Sequence, residues 1–346
     1  MLLFSPLSDD LPQASTDFER EALAFCQLWK SGQEQFLFHT SGSTGTPKPI
    51  LIHRSAMEAS AKATGEWLRL APNDLALACL PIQYIAGAMV LVRALVWNLK
   101  VCLVQPSSNP LLGLPPVSIQ LASFVPNQWH AILASNADLN TYFHNAKAIL
   151  LGGAAISQNL VLRSHALSFP IFETYGMTET VSHVAYKSLG ERNFHLMDSV
   201  DFGVDDRNCL RLKGAVTQFE WIQTNDLVHL HDNRVFEYLG RFDRVINSAG
   251  RKIHPEKLEQ FIESQANEGF EFFLDSLSDE QFGQILCLFY TGEFSEDYQQ
   301  ELEEKMRAQF ESWELPKKFI LLPSFQFTAS GKIDRLKSVA LYLKSK

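Results

Sequence analysis

The chain has 346 residues, of which 46% are hydrophobic and 20% charged, a composition of ordinary soluble proteins with room for two domains, one large and one small. Its formal net charge is -9 with no dense Lys/Arg stripe, which argues against nucleic acid as the main partner. Five scattered cysteines (Cys26, Cys79, Cys102, Cys209, Cys287) never form a C-x-x-C pair, a pattern that fits buried thiols in a reducing compartment better than disulfides or zinc.

The first residues, MLLFSPLSDD, carry no positive n-region and too short an apolar run for a signal peptide, so a cytoplasmic protein is expected. Phe18, Ala22, Phe25 and Trp29 recur at helical spacing and predict an amphipathic helix. Gln35–His39 reads as a short strand running straight into Thr40-Ser41-Gly42-Ser43-Thr44-Gly45-Thr46-Pro47-Lys48, and a second short apolar piece, Pro49–His53, follows. Ser55 and Glu58 predict a capping box that opens a helix to about Leu70. Leu75–Trp97 is apolar enough to raise a membrane span, but Pro81, Gln83 and Arg93 interrupt it, and no span is expected. Ala76–Leu80, Val101–Val104, Ala131–Leu133 and Ala148–Leu151 read as buried strands separated by helices. That alternation predicts an α/β fold layered on a largely parallel sheet.

The character changes near Gly240. A helix started by Pro255 carries Leu258, Phe261 and Ile262 on one face, and strands are expected around Phe272–Leu274 and Ile285–Tyr290. A charged helix with Tyr298, Leu302, Met306, Phe310 and Trp313 as its apolar face comes next. Gly240–Arg244 is therefore the expected boundary between a large domain, residues 1–240, and a smaller mobile α+β domain, residues 241–346.

Thr40–Lys48 combines glycines, hydroxyl residues and a terminal lysine. Glycines let backbone N–H groups turn inward as an anion nest, hydroxyls donate to phosphate oxygens, and lysine adds charge. The G-x-x-x-x-G-K-[ST] spacing of the NTPase P-loop is absent, and by itself the segment is equally a flexible surface turn. Four further segments stand with it in order: Tyr175-Gly176-Met177-Thr178-Glu179-Thr180, Thr224-Asn225-Asp226, Gly240-Arg241-Phe242-Asp243 continuing through Gly250 to Glu259, and Ser330-Gly331-Lys332. Together they resemble, in the same order from about residue 36 to the C-terminus, the motifs of the acyl-adenylate-forming superfamily, which includes acyl-CoA synthetases, peptide-synthetase adenylation domains and luciferases.

The resemblance implies ATP, Mg²⁺ and coenzyme A, with a small-molecule carboxylic acid as the other substrate. It also implies residue roles. Thr40, Ser41, Gly42, Ser43, Thr44, Gly45 and Lys48 would embrace the β- and γ-phosphates. Tyr175, followed by Gly176, would stack on adenine opposite Gly152-Gly153-Ala154. Thr178 would touch the α-phosphate, Glu179 would ligate Mg²⁺, and Asp226 would accept from the ribose hydroxyls with Arg241 beside it. Lys332 would reach the α-phosphate and the acid's carboxylate. Asp243 would be the hinge on which the small domain turns, and Gly250 and Lys252 would then help build the coenzyme A tunnel.

Three departures accompany the resemblance. Only a short segment precedes the phosphate loop, which implies a pared-down large domain. Tyr84 stands where the family often has histidine beside the acyl pocket, and Asn225 replaces the usual glycine before Asp226. The compact length and Tyr175–His183 resemble the o-succinylbenzoate–CoA ligases of menaquinone biosynthesis, which makes Tyr84, Ser182 and His183 the expected acyl-pocket residues. Arg93, Lys187 or His183 would then meet the distal carboxylate of such an acid, although Arg93 also reads as a helix residue snorkelling to the surface. Competing readings are another aryl- or acyl-CoA synthetase, a stand-alone adenylation enzyme loading a carrier protein, and a non-catalytic nucleotide-binding regulator. The sequence sets no oligomeric state.

Overall fold

Thr16 opens the first helix by accepting from the Glu19 amide, while the Glu19 carboxylate accepts from the Thr16 amide, so two free donors of the first turn are met. This helix, α1 (Asp17–Lys30), follows a short strand, β1 (Leu2–Phe4), and buries Phe18, Ala22, Phe25 and Trp29 as the spacing predicts. The computed structural model describes residues 1–39, 49–135, 137–231, 234–266, 270–327 and 333–344. Thr40–Lys48 and Ser330-Gly331-Lys332 lie outside the described residues.

β2 (Gln35–His39) and β3 (Pro49–His53) pair antiparallel, from Gln35 opposite His53 to His39 opposite Pro49. The chain thus enters and leaves the 40–48 segment at two adjacent strand ends. α2 (Arg54–Leu68) follows at once, with His53 at its cap and no side-chain cap bond. The expected Ser55–Glu58 capping box is not formed. Ser55 already lies inside the first turn, and the Glu58 carboxylate accepts from Arg54 at 2.9 Å.

Next come β4 (Leu75–Ala78), α3 (Ile85–Trp97), β5 (Lys100–Leu103), β6 (Leu121–Phe124), α4 (Pro126–Ala134), α5 (Asn140–Phe143), β7 (Ala148–Leu151), α6 (Gln158–Ser164) and β8 (Ile171–Gly176). Their strands pair in parallel in the order β5-β4-β6-β7-β8. Successive residues face opposite layers, as the two-residue period of a strand requires. Ala76, Ala78, Ala148 and Leu150 join the core formed with α1, α2 and α3, while Leu75, Leu77, Ile149 and Leu151 join the one formed with α4 and α6. The strand expected at Ala131–Leu133 is instead part of α4: Pro126 starts that helix, and Trp129 and Ile132 turn to the core at helical spacing. Leu121–Phe124 is the strand of that unit. Among the described residues no helix is long and apolar enough to cross a membrane.

The largely parallel sheet expected from the alternation is also corrected. β9 (His183–Ser188), β10 (Asn193–Leu196), β11 (Val200–Val204), β12 (Cys209–Gly214), β13 (Ile222–His231) and β14 (Val235–Arg241) extend the same sheet with antiparallel pairing throughout. The twelve strands run β1-β5-β4-β6-β7-β8-β9-β10-β14-β13-β12-β11. The connections after β8 are too short for a helical crossover, and consecutive strands pair antiparallel except β10 and β11, because β14 takes the place beside β10.

Beyond β14 stand β15 (Ile246–Ser248), β16 (Arg251–Ile253), α7 (Pro255–Gln265), β17 (Glu271–Asp279), β18 (Gly283–Thr291), α8 (Glu296–Arg307), β19 (Lys318–Leu321) and α9 (Arg335–Lys344). Their strands form a separate sheet of five. Leu258, Ile262, Leu302 and Met306 are buried in its core; Phe310 and Trp313 lie past the end of α8 and pack half-buried against it. All five cysteines are buried and free.

α2 and α3 touch where Gly65 meets Trp97, whose indole N–H donates to the Ala61 carbonyl at 2.9 Å. A Cβ on Gly65 would lie 2.1 Å from that indole. Gly65→Ala is expected to cost about 1–3 kcal/mol through overpacking, seen as a lower urea midpoint; an unchanged midpoint would show that the helices part freely.

Candidate active site

β8 leaves the parallel platform carrying Tyr175, and a bulge in its pairing with β9 falls between Tyr175 and Gly176. Glycine is required there, because a Cβ at Gly176 would lie 2.2 Å from the Ser182 carbonyl oxygen. The chain then makes a single 3-10 turn over Thr178–Thr180. Thr178 is half-buried, Glu179 exposed and Thr180 buried. Val181 follows at φ 66, ψ -52, and the Ser182 amide donates to the Thr180 carbonyl at 2.7 Å. That is a γ-turn of the strained, positive-φ hand at a β-branched residue, a conformation costing roughly 1–3 kcal/mol. Thr180 braces it from inside: its hydroxyl oxygen accepts from the Met177 amide at 3.0 Å and lies 2.9 Å from the Ser182 carbonyl.

Asp226 sits on β13, opposite Arg241 on β14. It is buried, and its Oδ2 accepts from the Tyr175 hydroxyl at 2.5 Å. In the sheet, β13 is four strands from β8, a separation of about 19 Å along a flat sheet. The two side chains therefore meet only because the antiparallel half curls back over the end of β8. Inside the curl Tyr175 packs against Phe194, Phe236 and Tyr238, with ring centroids 6.0, 5.4 and 6.4 Å away. Thr224 sets the local backbone, accepting from the Asp226 amide at 3.0 Å and donating to the Leu210 carbonyl at 2.7 Å.

Burial lifts the Asp226 carboxyl above its ordinary value, against the lowering pull of the Tyr175 hydrogen bond and the Arg241 charge. Burial and the neighbouring Asp226 charge push the Tyr175 phenol well up, so it remains a donor. Arg241 stands 3.6 Å from Asp226 and grips Asp243 with two bonds of 2.8 and 2.6 Å. That grip holds the Asp243 carboxyl below its usual range. One guanidinium thus joins the expected ribose acceptor to the expected hinge. Glu256 at the start of α7 accepts from the Arg241 amide at 3.2 Å and pairs with Arg244 at 3.1 Å.

Gly152-Gly153-Ala154 leaves the end of β7 directly against β8, where a Cβ on Gly152 would lie 2.5 Å from Thr174 Oγ1; Gly153 takes φ +82. Tyr84, half-buried, caps α3. Gly250, at φ +78, turns the β15–β16 hairpin. Lys252 lines a cavity of about 480 Å³ with Arg207, His229, Phe242 and His254, whose wall also includes Leu227 and Val228 directly after Asp226.

Of the cations expected near the acyl pocket, Lys187 is paired with Glu173 at 3.0 Å. Arg93 does not snorkel: it is buried and donates to Ser182 Oγ at 2.7 Å. His183 is buried as well, with Nε2 at 3.1 Å from the Thr64 hydroxyl. Burial, helped by the Arg93 charge, lowers its pKa well below the usual value and keeps the ring neutral. Sequence reasoning missed Thr64 and gave Thr180, the last residue of its motif, no role, because a threonine's partners carry no signal until its neighbours are known. Among the described residues no cluster of three or more His, Cys, Asp or Glu could hold a metal ion. Glu179 by itself offers one exposed carboxylate, a donor set that suits Mg²⁺ when phosphate oxygens complete the shell.

The AMP-binding enzyme family matches residues 8–206, and the chain belongs to that family. An acyl-CoA synthetase (AMP-forming)/AMP-acid ligase II-like protein from Dyadobacter fermentans is 34% identical, with a TM-score of 0.66 over 98% of this chain and 99% of that one. A 2-succinylbenzoate–CoA ligase of Staphylococcus epidermidis is 26% identical over 87% of this chain and 68% of its own length. The o-succinylbenzoate coenzyme A synthetase of Bacillus subtilis, in complex with ATP and magnesium ion, shares the fold at a TM-score of 0.74 and 22% identity, covering 88% of this chain and 69% of that one.

The raised Asp226 carboxyl has a measurable consequence. The folded state binds this proton more tightly than the unfolded chain, so the associated stability is full below the ordinary value of 3.8 and is lost as pH rises through the folded value. Asp226→Asn is therefore expected to gain stability relative to the parent as pH rises from about 4 to about 7. Urea titrations at both pH values would check this, and a constant difference would contradict it.

Proposed function

We propose that the protein is an ATP-dependent acid–thiol ligase that forms an acyl-adenylate and then an acyl-CoA thioester. The observation that carries the reading is the buried Asp226 carboxylate, held by Tyr175 and faced by Arg241, beside the Thr178–Glu179 turn. Family membership and the 34% identity to an AMP-forming ligase-like protein support it. In the first half-reaction the acid's carboxylate oxygen attacks the α-phosphorus of ATP and pyrophosphate leaves. In the second, the coenzyme A thiol attacks the acyl carbon, AMP departs with the bonding pair, and the thiol proton is released.

The protein's part is positioning and charge stabilisation more than covalent chemistry. Tyr175 and the Gly152–Ala154 loop flank the adenine, and Asp226 accepts from the ribose hydroxyls. Thr40–Lys48 hold the phosphates that leave, Thr178 donates to the α-phosphate, and Lys332 stabilises the charge that develops there. Glu179 would hold Mg²⁺ together with phosphate oxygens, and the ion would supply further charge neutralisation. In this reading residues 1–240 and 241–346 are two domains, and Asp243 is the hinge between half-reactions. Gly250 and Lys252 then belong to the thioester-forming arrangement.

The acid that fits best is 2-succinylbenzoate, the substrate class named for several relatives; a different aryl or acyl substrate, or a carrier-protein thiol, is the alternative. A cytoplasmic location fits the free buried thiols and the use of ATP and coenzyme A. ATP–pyrophosphate exchange should depend on added acid, with o-succinylbenzoate well ahead of benzoate, and coenzyme A should convert the adenylate to a thioester. Lys332→Ala should lower exchange by about a hundredfold or more with ATP binding mostly retained. Equal exchange with both acids would remove the substrate assignment, full exchange in Lys332→Ala would remove the role given to Lys332, and a parent that binds ATP without acid-dependent exchange would replace the enzyme reading with a nucleotide-binding regulator.

A further inference from the structure

Glu259 on α7 is a buried carboxylate shared by donors from three separate stretches of the smaller unit. Its Oε1 accepts from Arg244 Nη2 and from the Leu274 amide, each at 2.9 Å. Arg335 Nη2 stands 3.3 Å from the same oxygen and 3.5 Å from Oε2. Arg244 also pairs with Glu256 at 3.1 Å and donates to the Leu274 carbonyl at 3.4 Å. The two arginines come from opposite ends of the unit. Arg244 directly follows Asp243, the expected hinge, and Arg335 opens α9, three residues after Lys332. A cation at the start of a helix opposes the helix dipole, so stability alone would favour an acid there. Burial adds to that cost, lowering the Arg335 guanidinium below its ordinary value although the Glu259 charge pulls the other way.

The residues on either side of 328–332 are tied to that helix. Phe327 and Ile333 form an antiparallel bridge, and the Asp334 amide donates to the Gln326 carbonyl at 2.7 Å. The Gln326 amide donates to Ser338 Oγ at 2.9 Å, and Ser338 is buried on α9. Residues 326–327, 333–334 and the first turn of α9 therefore make one stem. Among the described residues, Arg335–Glu259 is the ion pair that joins α9 to another element; Tyr342 meets Phe289 at the helix's far end, with centroids 5.9 Å apart. One carboxylate thus fastens the stem to the residue after Asp243. Because the cluster is buried and each of its charges has a partner, its geometry is well defined.

We infer that Glu259 is a positioning residue for the adenylation half-reaction: through Arg335 it holds the stem on either side of the Lys332 segment in a fixed relation to Asp243, so that turning at the hinge carries Lys332 with it. The inference rests on the role proposed for Lys332.

The test measures both half-reactions in the full chain with o-succinylbenzoate as the acid: ATP–pyrophosphate exchange, and thioester formation from the synthetic acyl-adenylate and coenzyme A. Arg335→Met removes the link while Glu259 keeps Arg244 and the Leu274 amide, so the carboxylate stays paired. Exchange should fall about tenfold in kcat with the KM for ATP unchanged, the mark of a group misplaced in the transition state. Thioester formation, in which Lys332 has no assigned role, should keep the parent rate. Glu259→Gln should show the same split. The decisive comparison puts Arg335→Met into a Lys332→Ala background, where it should cost nothing further because the group it positions is gone. Should Arg335→Met not fold, Arg335→Gln carries the same comparison. Equal losses in both backgrounds, parallel losses in both half-reactions, or parent-like exchange would reduce the cluster to a structural ion pair and overturn the proposal, leaving the ligase reading in place. Full exchange in Lys332→Ala alone would instead take down the role of Lys332, and this proposal with it.

Discussion

The hydrogen bond from the Tyr175 hydroxyl to the buried Asp226 carboxylate joins two regions of one sheet that a flat geometry would keep about 19 Å apart. For it to form, the antiparallel strands must curl back over the end of the last parallel strand. Phe194, Phe236 and Tyr238 fill the space so enclosed. The carboxylate could not be tolerated there without partners, since an unpaired buried charge neutralises or unfolds its surroundings. Tyr175, Arg241 and the Asp226 amide's tie to Thr224 together make the position habitable. The centre of the site is thus also the clasp of the large sheet.

From that clasp two lines of polar contact run outward. One passes through Arg241 to Asp243 and Glu256, tying the Asp226 end of β13 to the start of the second sheet's unit. The other lies beneath the turn after β8, where Gly176, Thr180 and Val181 force the chain into a shape that only close support can hold. The strain at that turn is costly, and the Thr180 hydroxyl and the Arg93–Ser182 hydrogen bond hold it from within.

The expected site was read from short motifs in the order of the chain. The 40–48 segment, Tyr175–Thr180, Asp226 and the Gly240–Asp243 stretch are local patterns, and local patterns survive in one dimension. The strand at Leu121–Phe124 was not legible, because a four-residue apolar run is the same signal in a helix and a strand. Ala131–Leu133 was misassigned for that reason, until Pro126 and the burial of Trp129 and Ile132 settled the period. The capping box at Ser55 failed because a strand ending at His53 delivered the chain into the helix before Ser55 could cap it.

Spacing and composition predicted an α/β architecture and a change of character near Gly240, and the resemblance of the ordered motifs to a known family implied an adenylate-forming chemistry. What they could not define is which side chains share a neighbourhood. That Arg93 is buried under Ser182, that Lys187 is already spent on Glu173, and that Tyr175 donates to Asp226 are facts of the folded chain. They depend on how far a sheet curls and on how closely Gly65 lets two helices approach. Those distances arise from the packing of elements remote in sequence, so no window along the chain contains them.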